Sequence, residues 1–318
     1  MSVETLQQTA GSATCLDWDL ANEYPDSSLP GEGDAEFSRR VGQLTGGRVR
    51  IRPQCDVRPG LGSRRLFDAV SAGRLVLADS FAGALGDVHP LFQLSSLPFM
   101  TAGGADARRL FELARPHYDT LLHDLGQKLL YASPWPPTGL WTKAAIGRVQ
   151  GLQGLRVRTY DATSAQVFIR LGADARAMAF TDSLPLLASG GLDAVLSSGD
   201  GGAGAKLWQH LPYFTPIDYA APLSLVTINL AAWNALDAPM RLAMEDAAAQ
   251  TMQSQWRRMQ TRVEENTLRL RDAGATIVQP GAELRAAFAA AAATAIADWT
   301  GRAGSAGHAI LAQYRRQP

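Results

Sequence analysis

Alternating and helical hydrophobic patterns follow one another along the first 135 residues. Residues 16–20 alternate hydrophobic and polar side chains as a half-buried strand does, and residues 34–44 have the spacing of an amphipathic helix that ends at two glycines. Strands are predicted at 16–20, 48–53, 75–79 and 128–132, and helices at 34–44, 63–72 and 105–125. This β-α-β-α-β-α-β order predicts a parallel sheet that is covered by helices on both faces.

A second set of elements follows a proline-rich segment at residues 133–139. Strands are predicted at 155–159, 175–180, 192–197, 223–230 and 276–278, and helices at 164–171, 184–189, 238–273 and 282–297. The helix 238–273 would be about 50 Å long, so it can lie across two bodies rather than inside one. We therefore predict an α/β fold of two lobes with a cleft between them and a long helix near the C terminus that spans both. Lobe I would comprise residues 1–135 and 224–263, and lobe II residues 136–223 and 264–318.

Composition excludes several classes of protein. The 318 residues include 30 basic and 30 acidic side chains, so the formal net charge is zero, whereas a nucleic-acid-binding face requires concentrated positive charge. No apolar run approaches the ~18 residues of a membrane-spanning helix, and the five histidines and two cysteines follow no zinc-binding spacing. We expect no nucleic acid partner, no membrane insertion, no metal and no cofactor.

The two cysteines and the first 13 residues are the sequence features that relate to cellular location. Cys15 precedes the first predicted strand and Cys55 follows the second, so in a parallel pair of strands the two sulfurs lie at opposite ends and stay unpaired. Residues 1–13 are polar and lack the basic and apolar regions of a secretory signal. Either the protein is cytosolic or a signal has been removed from the sequence.

Arg158 is the first candidate for ligand binding. Ligands of open α/β sheets bind at the carboxyl ends of the strands. In the predicted strand 155–159, Arg156, Arg158 and Tyr160 share one face, and Arg158 lies near the carboxyl end. A guanidinium in that place can hold a carboxylate by two parallel hydrogen bonds. Spacing alone leaves a solvated or salt-bridged arginine as the alternative.

A glycine-rich segment suggests a second function. Ser197 and Ser198 precede Gly199–Gly204, which has GxGxxG spacing after a predicted strand. That spacing is typical of dinucleotide binding, so an NAD(P)-dependent oxidoreductase that uses this loop is the alternative. The context disagrees, because only residues 205–211 remain for the following helix and no acidic residue closes a strand about 20 positions on. The milder interpretation is a loop whose amides and serine hydroxyls face a ligand in the cleft.

Aromatic side chains cluster near the ends of the predicted strands, where they would line a pocket for a flat, partly apolar ligand. The aromatic candidates are Tyr24, Phe81, Trp135, Trp141, Tyr160 and Phe214, and Ser80 beside Phe81 is a polar candidate. Taken singly, each is better explained as a core residue than as ligand surface, and only their clustering after strands favours a pocket. The sequence contains no GxSxG motif and no convincing catalytic trio, so the predicted chemistry is binding and not catalysis.

Several short strings, in this order along the chain, resemble the solute-binding proteins of TRAP transporters, the DctP-like group. They are ANEYP at 21–25, TGGR at 45–48, LPF at 97–99, LQGLRVR at 152–158, LGA at 171–173 and IN at 228–229. The resemblance implies a two-lobed periplasmic-binding-protein fold and a periplasmic location. It also implies that the protein captures an organic acid by lobe closure and delivers it to the membrane subunits of a TRAP transporter.

The same resemblance assigns roles to residues. The family's carboxylate-binding arginine ends the LQGLRVR string, and Arg158 occupies that place. Sialic-acid-binding members have a second arginine near the position that Thr138 occupies here. Many members also have a Glu-Asn pair where this chain has Leu196 and Ser197. These departures imply a different and less polar ligand. With aromatic residues nearby, we expect an aromatic or 2-oxo/2-hydroxy carboxylate.

Overall fold

The computed structural model describes residues 15–57 and 60–316. Its strands are β1 (Leu16–Asn22), β2 (Val49–Gln54), β3 (Leu77–Phe81), β4 (Gln127–Pro134), β5 (Thr138–Thr142), β6 (Arg156–Thr159), β7 (Asp174–Ala177), β8 (Ala194–Ser198), β9 (Tyr213–Thr215), β10 (Leu223–Asn229) and β11 (Thr276–Ile277). Its helices are α1 (Leu29–Leu44), α2 (Ser63–Ser71), α3 (Gly104–Asp124), α4 (Ala162–Arg170), α5 (Phe180–Ala188), α6 (Gly199–Gly204), α7 (Leu230–Asn234), α8 (Ala238–Asp272) and α9 (Ala282–Arg316). The strands form two sheets, A and B.

Sheet A contains five strands in the order β2-β1-β3-β10-β4. β1 is parallel to β2 and β3, whereas β10 lies between β3 and β4 and runs antiparallel to both. The sheet is therefore mixed, and the expectation of a parallel sheet is wrong. The reason is topological: β10 reaches sheet A from the second half of the chain, and the order of elements in a sequence does not show where such a strand is inserted.

Sheet B contains six strands in the order β11-β9-β5-β8-β6-β7. β6 is parallel to β7 and β8, and β5 is antiparallel to β8 and β9. The strand β5 was not predicted, because it lies next to the proline-rich segment and has few residues with clear alternation. The predicted strand 175–180 is shorter than expected, since Phe180 already begins α5.

Two neighbouring segments connect the sheets. β4 ends at Pro134 in sheet A and β5 begins at Thr138 in sheet B, while the return passes from β9 to β10. The backbone N–H of Trp135 donates to the carbonyl oxygen of Pro222 (2.9 Å), and that of Thr138 donates to the carbonyl oxygen of Ala220 (2.8 Å). The two connections therefore run side by side as a narrow, hydrogen-bonded bridge between the two bodies.

Two long helices pack against both bodies. α8 contacts α1 and β4 near sheet A and α6 and β11 near sheet B, as predicted for the spanning helix. α9 continues beyond its predicted end at residue 297 and changes direction at Gly304, whose φ is +62°. Its first part packs through Phe288 beside sheet B, and its later part packs through Trp299 and Ile310 beside sheet A. The lobe boundaries proposed from the sequence stay a prediction.

Cys15 and Cys55 are unpaired thiols at opposite ends of the parallel β1–β2 pair. Burial raises the pKa of Cys55 to about 12, so its thiol stays protonated. Within the described residues, no helix is long and apolar enough to cross a membrane. The same residues contain no group of three or more His, Cys, Asp or Glu side chains that could hold a metal ion.

Candidate functional site

Arg158 lies on β6 and is buried, with only 2% of its surface exposed. Its Nε donates to the carbonyl oxygen of Met178 (3.1 Å) and its Nη1 to that of Leu196 (3.1 Å). The guanidinium carbon lies 5.4 Å from the centroid of the Phe180 ring. These contacts hold the side chain against sheet B, where it lines a cavity between the two sheets.

The guanidinium of Arg158 forms no ion pair with any described residue. In the part of the chain that the structure describes, no carboxylate lies within ion-pair distance of it, and the buried Asp161 instead caps the first turn of α4. By contrast Arg156, two residues away on β6, is ion-paired with Asp193 (2.7 Å) and lowers the pKa of that carboxyl. A buried cation without a partner costs several kcal/mol, and a bound anion would remove that cost.

The cavity beside Arg158 is narrow, about 20 Å³, and takes its walls from both sheets. The wall on the side of sheet A is aromatic: the ring centroid of Tyr24 lies 4.6 Å from that of Trp135 and 6.2 Å from that of Phe81. The ring of Phe81 in turn lies 5.2 Å from that of Tyr160. A volume of this size holds about one water molecule, so these rings and Arg158 can contact a ligand only when the two walls stand further apart.

Hydroxyl groups supply most of the remaining polar surface. The hydroxyl of Tyr160 is buried, and its nearest polar side chain among the described residues is Thr138, which also lines the cavity. Burial raises the pKa of Tyr160 well above its ordinary value, so this hydroxyl stays neutral and can both donate and accept. Ser197 and Ser198 also line the cavity, and the Oγ of Ser198 accepts from the N–H of Gly201 (3.0 Å) in α6. These groups suit a neutral polar substituent better than a second charge.

Seven of the ten predicted site residues line this one cavity: Tyr24, Phe81, Trp135, Arg158, Tyr160, Ser197 and Ser198. The structure does not bring the other three there. Trp141 and Phe214 pair across β5 and β9 with ring centroids 4.9 Å apart, on the face of β5 opposite to Thr138. Ser80 precedes Phe81 on β3, so strand alternation turns its side chain away from the wall that Phe81 forms.

Three further residues line the cavity without having been predicted as site residues: Thr138, Leu196 and Pro222. Thr138 and Pro222 belong to the two connections between the sheets, and Leu196 supplies the carbonyl oxygen that holds Arg158. The proline-rich segment 133–139 could have indicated Thr138 as a cavity residue, because it lies where the chain leaves sheet A. The connection between β9 and β10, which contains Pro222, had no sequence feature that indicated a place in the cavity.

The GxGxxG spacing has a packing explanation. Gly199–Gly204 forms the short helix α6 and not an open phosphate-binding loop. A Cβ at Gly202 would overlap the indole of Trp141, and a Cβ at Gly204 would come within 3.1 Å of the ring of Pro25. The missing side chains therefore let α6 pack closely against both bodies.

We expect Gly202→Ala to lower the free energy of unfolding by about 1–3 kcal/mol, because the new methyl group must displace a buried indole. Urea denaturation followed by tryptophan fluorescence measures the change. Gly301→Ala is the matched control, since it lies in α9 with no atom within 4 Å of the added Cβ and gains helix propensity. Equal stability of the two variants would contradict the packing explanation.

The comparison with known sequences decides the family. The sequence profile of the bacterial extracellular solute-binding proteins, family 7 (DctP), matches residues 20–301. The chain belongs to this family. It is a TRAP-type periplasmic solute receptor, so the expectation that it is not an enzyme is confirmed and the oxidoreductase alternative based on Gly199–Gly204 is wrong. Among curated proteins, no sequence matches this chain.

Solved receptor structures share the fold of this family 7 protein. DctP7, a Bordetella pertussis extracytoplasmic solute receptor that binds pyroglutamic acid, is 27% identical, and 95% of this chain and 100% of that chain align with a TM-score of 0.90. DctP6 of the same organism, which binds the same acid, is 26% identical over 95% and 100% of the chains with a TM-score of 0.87. A Desulfovibrio salexigens TRAP solute-binding protein with bound orotic acid is 18% identical over 94% and 97%, with a TM-score of 0.86. The predicted two-lobed α/β fold is confirmed.

Proposed function

We propose that this receptor binds a small cyclic or planar monocarboxylate and that Arg158 forms an ion pair with its carboxylate. The observation that carries the proposal is the buried guanidinium, for which the described residues provide no carboxylate. Two backbone carbonyl oxygens accept from its Nε and Nη1, and the hydroxyl of Tyr24 also hydrogen-bonds with the guanidinium. Five N–H groups still leave donors for the carboxylate of a ligand.

The cavity walls support a ligand with one charge. Of the described residues that line the cavity, Arg158 alone is charged. A second carboxylate or an ammonium group would be buried without a partner, at a cost of several kcal/mol. A lactam, ketone or hydroxyl group would instead meet the hydroxyls of Tyr160 and Ser197. Pyroglutamic acid, the ligand of the two Bordetella pertussis receptors, has one carboxylate on a small lactam ring, and we propose it as the ligand.

Lobe closure is the second part of the proposal. The aromatic wall belongs to the body around sheet A, whereas Arg158, Tyr160 and Ser197 belong to the body around sheet B. Neither body alone encloses a ligand, and a cavity this narrow admits one only when the two bodies separate. The receptor closed around its acid would then be the form that the membrane subunits of a TRAP transporter recognise in the periplasm.

Thermal unfolding with a panel of acids tests the ligand class. L-Pyroglutamate at about 100 times its Kd should stabilise the receptor by about 2.7 kcal/mol and raise Tm visibly. L-Glutamate is the matched control: it has the same carbon skeleton but carries a second carboxylate and an ammonium group, and we expect no shift. The panel includes the aromatic and 2-oxo/2-hydroxy acids expected from the sequence, together with NAD.

The outcomes separate the two parts of the proposal. A shift with a different monocarboxylate would replace pyroglutamate and retain the role of Arg158. A shift with dicarboxylates alone would contradict the preference for a single charge. A shift with NAD alone would contradict carboxylate binding altogether.

A further inference from the structure

Glu23 connects the two bodies. It follows β1 of sheet A and is buried, with 2% of its surface exposed. Its Oε2 accepts from both the N–H and the hydroxyl of Ser63 (2.7 Å each), within the same body. Its Oε1 accepts from the N–H groups of Phe180 (2.5 Å) and Thr181 (3.3 Å), at the start of α5 in the other body. Since Ala179 provides no side-chain cap for α5, this helix is capped from across the cleft.

Asp200 makes the reciprocal contact. It lies in α6 of the body around sheet B and is fully buried. Its Oδ2 accepts from the N–H of Leu29 (2.6 Å), the first residue of α1 in the body around sheet A. Its Oδ1 accepts from the Nε of Arg262 on α8 (2.6 Å), which also donates to the carbonyl oxygen of Ser27 (2.5 Å). Each body therefore contributes a carboxylate that caps a helix of the other.

We propose that Glu23 and Asp200 are reciprocal helix caps that hold the closed conformation, an inference that rests on the proposed lobe closure. The first N–H groups of a helix have no partner inside the helix and carry partial positive charge, so a carboxylate there is stabilising. Separation of the lobes breaks both contacts at once. The caps therefore add to the ligand contacts in closing the cleft.

The caps lie next to the walls of the ligand cavity. Glu23 immediately precedes Tyr24, and the ring of Phe180 lies 5.3 Å from that of Tyr24 and 5.4 Å from the guanidinium of Arg158. Asp200 comes two residues after Ser198, which lines the cavity from the other body. Glu23 does not touch the cavity itself, so it is a positioning residue: its hydrogen bonds bring the aromatic wall and the arginine together.

Glu23→Gln tests the inference with little change in shape. The amide has one acceptor oxygen, so either Ser63 or the start of α5 loses its acceptor. We expect the Kd for L-pyroglutamate to rise about 10- to 100-fold, mainly through faster dissociation. The Tm of the ligand-free receptor should change little, because its open lobes do not make the contact. Single-molecule FRET between labels at Asp87→Cys and Arg176→Cys, with Cys15→Ser and Cys55→Ser, should show the variant open more often at saturating ligand.

Asp237→Asn is the matched control, because Asp237 caps α8 through the N–H of Met240 (2.7 Å) without crossing the cleft. It should leave both the Kd and the FRET distribution unchanged. Glu23→Gln with an equally unchanged Kd and FRET distribution would overturn the inference.

If the amide variant does not fold, Glu23→Asp takes its place, because it keeps the charge but is too short to reach both Ser63 and α5. The same rise in Kd is expected of it, and an unchanged Kd would overturn the inference equally.

The FRET measurement also separates this inference from the proposed function. If no acid of the panel shortens the distance between the labels in the wild-type receptor, lobe closure fails and the inference fails with it. If the wild-type receptor closes and Glu23→Gln closes equally well, the caps are ordinary structural contacts and the proposed function stands.

Discussion

Replacing Arg158 by methionine is expected to weaken the binding of L-pyroglutamate more than about 100-fold. The ligand carboxylate would then be buried without a partner, and removal of one member of a buried pair costs about 3–5 kcal/mol. The ligand-free receptor should not become less stable, because methionine occupies a similar volume and removes a buried cation that no described carboxylate neutralises. Isothermal titration calorimetry and thermal unfolding measure the two effects.

Arg156→Met is the control for this experiment. Arg156 lies on the same strand but is exposed and ion-paired with Asp193, so its loss should leave the Kd within about threefold of wild type. Arg158→Lys keeps the charge without the planar fork and should bind with intermediate affinity. Equal weakening by the Arg156 and Arg158 substitutions would refute the assigned role.

Replacing Asp79 by asparagine is expected to stabilise the protein at pH 8. Asp34 on α1 and Asp79 on β3 are both buried, and the Nδ2 of Asn22 donates to an oxygen of each (2.6 and 3.4 Å). Among the described residues, no basic side chain is ion-paired with either. Burial raises the pKa of Asp79 to about 7, and burial together with the charge of Asp79 raises the pKa of Asp34 well above its usual value.

The sign of the pH dependence follows from these raised pKa values. An unfolded aspartate has a pKa of about 4, so between pH 4 and about 7 the folded protein binds more protons than the unfolded chain. The free energy of unfolding therefore falls as the pH rises through this window, and the raised pKa of Asp34 adds to the same fall. One pKa unit corresponds to about 1.4 kcal/mol. We therefore expect Asp79→Asn to raise the free energy of unfolding at pH 8 by about 2–4 kcal/mol and to make it depend less on pH. Urea denaturation at several pH values between 4 and 8 measures both.

Asp19→Asn provides the control on the same sheet. Asp19 is exposed on β1 and ion-paired with Arg52 (3.1 Å), so its replacement should change stability by less than about 0.5 kcal/mol. An Asp79→Asn protein that is less stable than wild type at pH 8, with an unchanged pH profile, would show that the carboxylate pair stabilises the fold.

Local pattern was sufficient for most of the fold. The predicted strand 155–159 and helix 238–273 match β6 (Arg156–Thr159) and α8 (Ala238–Asp272) within a residue at each end. Both have strong periodicity, and glycine ends the helix on the C-terminal side. β5 and β9 were missed because they are short and are stabilised by pairing with each other and with β8 and β11, which are distant in the chain. The antiparallel insertion of β10 was missed for the same reason, since pairing partners far apart in the chain leave no local pattern.

Periodicity and short motifs were enough to predict the two α/β bodies and the family, because both depend on residues that are neighbours in the chain. The same motifs proposed Arg158 as the ligand-binding residue, and that role stays a prediction. Which side chains meet depends on the tertiary structure. It packed Trp141 and Phe214 against each other and placed Thr138 and Pro222 in the cavity. In the structure, no carboxylate among the described residues is ion-paired with Arg158. The carboxylate of Glu23 accepts from the N–H of Phe180, which is 157 residues away in the chain. Burial and charge pairing depend on how the two sheets pack, and that packing brings together residues that are distant in the sequence.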